Sequence, residues 1–121
     1  MPSKNPAQRL RDILDGIASI EAFTAGMRFE EFARDRKTAY AVTRALEIIS
    51  EASRRLPDDL KDRHPEIDWP AVSAAGNVYR HEYEVVDDGL VWHTVRHGLD
   101  QLREVAASEL QQIERAGTSE S

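Results

Sequence analysis

Residues 76–83, GNVYRHEY, gather more chemistry than any other stretch of the chain. Asn77 both donates and accepts, Arg80 is a permanent cation, and His81 exchanges a proton near neutral pH. Tyr79 and Tyr83 add phenolic hydroxyls. Three readings fit that set: an active site, a modification site, or the polar end of a helix.

The groups share a face. At 100° per residue, Ser73, Asn77, Arg80, His81 and Glu84 fall within about a third of a helix circumference. Val72, Ala75 and Tyr79 cluster on another side, with Tyr83 nearby, and Tyr79 reads as a bundle residue with its hydroxyl at the rim. The residues just before are small: Ala71, Ser73, Ala74, Ala75 and Gly76 leave only Val72 larger than serine. A glycine inside a helix costs about 1 kcal/mol against alanine, so this surface has a use. It serves either close packing within its own bundle or a symmetric helix pair across a two-fold.

The elements that must position this stretch are helical almost throughout. Leu10, Ile13, Leu14, Ile17, Ile20 and Phe23 make one apolar stripe, which Gly26 ends. A longer helix is expected from Met27 to about Arg55, with Phe29, Phe32, Ala33, Tyr40, Thr43, Leu46, Ile49 and Ser53 inward. Its polar part, ARDRKT (33–38), reads as an open end or a partner surface. Pro57 stops it, and residues 56–68 read as a short helical turn between prolines. Asp68 is the expected N-cap of a third helix, with Pro70 in its first turn, running through GNVYRHEY toward Val86. Asp87 or Asp88 opens the last helix, whose positions Val91, Val95, Leu99, Leu102, Ala106, Glu109/Leu110 and Ile113 follow a near-heptad period. No segment alternates like a strand. The expected fold is an all-α up-and-down bundle of four long helices plus a short connecting helix. It forms one domain over 1–116, with a disordered polar tail at 117–121.

Composition narrows the function. With 121 residues and no cysteine, the chain can bury a core, but it has no thiolate nucleophile, disulfide or thiolate metal site. The net charge of −6 arises wholly after residue 81. That balance argues against broad binding along a nucleic-acid backbone, though not against a small basic site, and it suits a basic protein partner. No apolar run is long enough to span a bilayer and the N-terminus lacks a secretory signal, so no membrane role and a cytoplasmic location are expected.

Other candidates read as structural. His93 and His97 stand one turn apart, a spacing that can chelate a metal, but no glutamate follows the first as in HExxH. An exposed histidine pair is the expectation, with no metal site and no cofactor. Trp92 reads as core and Trp69 as a packing anchor. There is no Walker loop, dinucleotide glycine pattern or Ser-His-Asp set. Asp58/Asp59 and Asp87/Asp88 read as helix-start carboxylates favoured by the helix dipole.

Taken as a set, RLRDILDGIASIEAFTAG, FARDRKTAYAVTRALEIISEASRRLP, HPEIDWPAV and GNVYRHEYEVVDDGLVWHTV resemble the HepT-like proteins of the HEPN superfamily over nearly the whole chain. The resemblance implies a dimeric helical bundle, a homodimer with two copies of the polar motif facing across a cleft. It implies a metal-independent endoribonuclease that acts as a toxin, with RNA as substrate. It also implies a partner: an MntA-like nucleotidyltransferase antitoxin that transfers AMP onto the motif tyrosine. Carried over, the histidine is His81, the tyrosine Tyr83, and the asparagine beside the arginine Asn77.

The family's arginine, five residues before the histidine, is Gly76 here. Attack of a 2′-hydroxyl on its neighbouring phosphate needs a proton acceptor, a proton donor and a cation on the phosphoryl oxygens. Arg80 lies one turn after Gly76 and leans back over that position, so it is the candidate substitute. The plainer reading pairs Arg80 with Glu84 on the surface and leaves Tyr83 an unmodified rim tyrosine. Two functions follow. One is a toxin acting through His81 with Arg80 or Asn77 assisting; the other is a catalytically inactive dimer that binds the nucleotidyltransferase or a nucleotide.

Overall fold

A proline in the first turn and an asparagine before it start the first helix of the computed structural model. The structure describes residues 5–81 and 88–119, with the side chains of 76–81, 88, 90, 118 and 119 outside the description. Helix α1 (Pro6–Thr24) is capped by Asn5, whose side chain accepts the Ala7 N–H at 3.0 Å. It ends before Gly26, whose φ of 74° is the left-handed conformation that glycine takes without a Cβ penalty.

The expected long second helix is two helices. α2 (Phe29–Arg34) stops at Asp35, and α3 (Arg36–Arg54) starts there. Asp35 causes the break. Its carboxylate accepts from the Thr38 backbone N–H at 3.0 Å and from the Thr38 hydroxyl at 2.7 Å, which makes it an N-cap within ARDRKT. The interruption also corrects the inward face. Phe32, Leu46, Ile49 and Ser53 are buried, but Tyr40 is 60% exposed and Phe29 and Ala33 are exposed as well. Val42 and Ala45 take the core positions instead. On α1, Leu10, Ile13, Ile17 and Ile20 are buried as expected, whereas Phe23 is exposed.

Pro57 precedes the short connecting helix α4 (Asp58–Asp62), and α5 (Trp69–His81) follows. The expected last helix is also divided, into α6 (Asp88–His97) and α7 (Asp100–Ser119). The break at Gly98–Leu99 lets the chain turn while Leu99 and Leu102 both stay buried. The fold is therefore all-α, with two of the four expected rods interrupted, and no strand occurs among the described residues.

Helix α1 lies against α3 and α7, α3 against α5, and α2 against α6. Ile13, Ile17 and Ile20 have no exposed surface, and each contributes about 1.5–3 kcal/mol by leaving water. Close approach of α1 to α3 depends on Gly16, where an added Cβ would lie 2.7 Å from Ile49 Cγ1. Trp92, expected in the core, is half-buried and packs against it, its ring 5.1 Å from Phe32 and 6.4 Å from Phe29. No helix among the described residues is long and apolar enough to cross a membrane.

Candidate functional site

Helix α5 carries the polar motif, and its first half is fixed in three ways. Asp68 caps it, accepting the Ala71 N–H at 3.1 Å. Trp69 anchors its start, the indole N–H donating to the carbonyls of Lys61 and His64, each at 3.1 Å. From α3, the Ser50 hydroxyl donates to Val72 O at 2.8 Å and Arg54 donates to Ser73 O at 2.5 Å. The small-residue stretch thus brings α3 close enough to bond the backbone of α5, while Ala71 and Ala74 stay exposed.

Asn77, Arg80 and His81 follow within the last two turns of the same helix. Their side chains lie outside the described residues, as does Tyr83 altogether, together with the rest of 82–87, on which the expected continuation of this helix toward Val86 falls.

A second cluster braces the segment entering α5. Glu109 of α7 is 3% exposed. Its Oε1 accepts from Arg63 Nη2 at 2.8 Å, and its Oε2 accepts from Arg63 Nε at 3.3 Å. His64 Nε2 lies 2.6 Å from Oε2, and since a carboxylate only accepts, the imidazole is the donor. The Arg63 guanidinium holds the Glu109 carboxyl below its usual range, with His64 adding to the effect and burial opposing it. Arg63 is held above its own ordinary value by the same contact. The two partners agree in direction. Sequence reading placed Glu109 in the apolar period without a partner. The available signal was a charged residue at a core position, which in a folded protein is almost always paired.

A groove of about 370 Å³ opens between α3, α5, α6 and the start of α7. Ile49, Val72 and Leu102 line it below, and Glu66, Asp68, His93 and His97 are polar members of its wall. His93 and His97 are both exposed, with ring centroids 4.8 Å apart and planes inclined at 46°. Among the described residues, they join no group of three or more side chains able to hold a metal ion.

Residues 13–109, which include the whole of GNVYRHEY, match the family described as HepT-like, Ribonuclease HepT-like. A Thermococcus cleftensis protein named "Probable ribonuclease HepT" is 44% identical over 94 residues, covering 78% of this chain and 86% of the relative. "Putative RNase MJ1216" of Methanocaldococcus jannaschii is 31% identical over 114 residues, 94% of each chain. "Putative RNase TTE0752" of Caldanaerobacter subterraneus is 29% identical over 108 residues, covering 89% of this chain and 96% of that one. No solved structure matches this chain.

Proposed function

The chain belongs to the HepT-like ribonuclease family, and on that premise we propose that it is a metal-independent endoribonuclease, the toxin of a toxin–antitoxin pair in the cytoplasm. The observation that carries the reading is the family match across residues 13–109, with Asn77, Arg80, His81 and Tyr83 inside it.

In the proposed reaction, His81 accepts the proton of a ribose 2′-hydroxyl. The 2′-oxygen bonds to the adjacent phosphorus, the bond to the 5′-oxygen breaks, and the leaving oxygen takes a proton. Two copies of the motif in a homodimer supply the second proton-transfer group. Histidine suits both roles because its ordinary pKa is about 6.5. Arg80 supplies the charge that the family's arginine would place on the phosphoryl oxygens, and Asn77 donates to the same group. A nucleotidyltransferase antitoxin silences the site by transferring AMP to Tyr83. The added phosphate beside His81 occludes the cleft and repels the substrate's phosphates.

Cleavage of labelled RNA in EDTA by the wild type, but not by identically purified His81→Ala, is the expected result. Equal background from both proteins would overturn it. A second reading is favoured by one observation, Gly76 at the arginine position. It takes the protein as a catalytically inactive dimer that binds the nucleotidyltransferase or a nucleotide, and it predicts that equal background.

A further inference from the structure

The groove between α3, α5 and α6 is lined by residues other than the Asn77, Arg80 and His81 set, and its two halves differ in kind. The base is apolar, with Ile49, Val72 and Leu102. The wall offers two exposed imidazole rings on successive turns of α6, His93 and His97, and two carboxylates, Glu66 and Asp68. Its volume of about 370 Å³ suits a small organic group, since such sites span roughly 300–1,000 Å³.

Flat rings over an apolar base select a flat ring. Unstacked bases of single-stranded RNA are held this way, stacked on aromatic side chains that include histidine and hydrogen-bonded along their edges. The carboxylates determine which edge. A carboxylate only accepts, so it pairs with an exocyclic amino group and repels both a carbonyl and a phosphate. Asp68 Oδ1 is occupied by the Ala71 N–H at 3.1 Å. Glu66 leans one oxygen, Oε2, toward His64 Nδ1 at 3.5 Å, while Oε1 has no partner among the described residues. Glu66 is therefore the better placed reader.

We propose that this groove is a nucleobase subsite for single-stranded RNA, in which the base packs against the His93–His97 ring pair, stacked on one imidazole and meeting the other at an angle, and Glu66 selects an amino-bearing base over uracil. The subsite rests on the ribonuclease reading for its role in cleavage. Ala75 of the groove and His81 lie on one helix, about 9 Å apart along its axis at 1.5 Å per residue. A base held in the groove would then set which phosphate approaches His81.

The test uses the full chain carrying His81→Ala, so that binding is read without cleavage. Short oligocytidylate, oligoadenylate and oligouridylate are titrated by fluorescence anisotropy in EDTA, with the histidine ring resonances followed by NMR. Oligocytidylate and oligoadenylate should bind about tenfold more tightly than oligouridylate, the low end of what one edge contact discriminates. Binding should shift the His93 and His97 signals. Adding Glu66→Gln should reduce the preference to near unity, and His97→Ala should weaken all three oligonucleotides alike. Both positions are exposed, and unchanged helicity by circular dichroism confirms that the variants fold.

Equal affinity for the three oligonucleotides, or a preference that survives Glu66→Gln, overturns the subsite. So do silent His93 and His97 signals with RNA. If those signals move with protein concentration alone, the groove takes a second copy of the chain, and the proposal also fails. Glu66-dependent preference in a protein whose wild type cleaves nothing in EDTA keeps the subsite and removes the ribonuclease reading. Cleavage with no base preference does the reverse.

Discussion

Glu109 on α7 holds His64 through a 2.6 Å contact between its Oε2 and the imidazole Nε2, across 45 residues of sequence. Its Oε1 takes Arg63 at 2.8 Å, so one buried carboxylate ties the segment entering α5 to the last helix. Together with Ser50 and Arg54 of α3, it braces the helix that carries His81 at its end.

Removing that carboxylate should cost stability. Deleting one partner of a buried ion pair typically costs roughly 3–5 kcal/mol, but Arg63 is half-exposed and would regain water. Glu109→Ala should therefore lower the unfolding free energy by about 2 kcal/mol. Urea denaturation should show an earlier midpoint with an unchanged slope. An unmoved midpoint would mean that the cluster contributes nothing net.

The same carboxylate should make stability acid-sensitive. Its pKa lies below the ordinary 4.5 because Arg63, and secondarily His64, bond its charged form. A carboxyl depressed by folding contributes stability above its unfolded pKa and loses it as pH falls through the folded value. The contribution is thus full above about pH 4.5 and declines below it. Asp35 and Glu51 are shifted the same way, by Thr38 and by Arg54 with Arg55. The informative quantity is therefore the difference between wild type and Glu109→Gln. Urea midpoints measured from pH 7 to pH 3 should converge in acid; a constant gap would contradict the assignment.

Gly16→Ala should strain the α1–α3 crossing, since the new methyl would sit 2.7 Å from Ile49 Cγ1 and 3.1 Å from Cδ1. Overpacking of this kind costs about 1–3 kcal/mol. Because the clash is with one side chain, Gly16→Ala combined with Ile49→Ala should destabilise less than the two single changes added together. Strict additivity in a double-mutant cycle would locate the strain elsewhere.

Trp69→Phe deletes one indole N–H that serves two carbonyls. Lys61 O and His64 O keep backbone donors, from His64 at 3.0 Å and Ile67 at 3.2 Å, so neither is left bare. The loss should be about 1 kcal/mol, near that of a single net hydrogen bond. A thermal or urea midpoint shift several times larger would show that the ring's packing, not its N–H, anchors α5.

If Arg80 takes the phosphate-binding role, Arg80→Ala should lower His81-dependent RNA cleavage about 100-fold, the low end for loss of a transition-state donor. Wild-type rates in Arg80→Ala would exclude the substitution of Arg80 for the arginine absent at Gly76. Incubation with ATP and a cognate nucleotidyltransferase should add one AMP per chain by mass spectrometry. Tyr83→Phe should abolish that gain; a modified Tyr83→Phe protein would place the acceptor at another residue.

By itself the sequence determined the helical class, most of the core and the family. Apolar residues recurring every three or four positions are a local signal, and so are the stops at Gly26 and Pro57 and the cap at Asp68. Leu10, Ile13, Ile17 and Ile20 were legible for that reason. Asn77, Arg80, His81 and Tyr83 stand out as a set by residue type and spacing alone, and their side chains lie outside the described residues. The breaks at Asp35 and Gly98–Leu99 were less legible: the first falls in the polar stretch ARDRKT, where a side-chain cap restarts the helix, and the apolar period continues through the second. Tyr40 read as inward and is exposed, since the restart of α3 rotates its buried face onto Val42 and Ala45. Tertiary structure alone decided which distant groups meet: Glu109 with Arg63 and His64, Ser50 and Arg54 with the α5 carbonyls, and Glu66 with His93 and His97 around one groove. Periodicity states which face of a helix is buried, but not which residue of another helix covers it, and these meetings depend on that pairing.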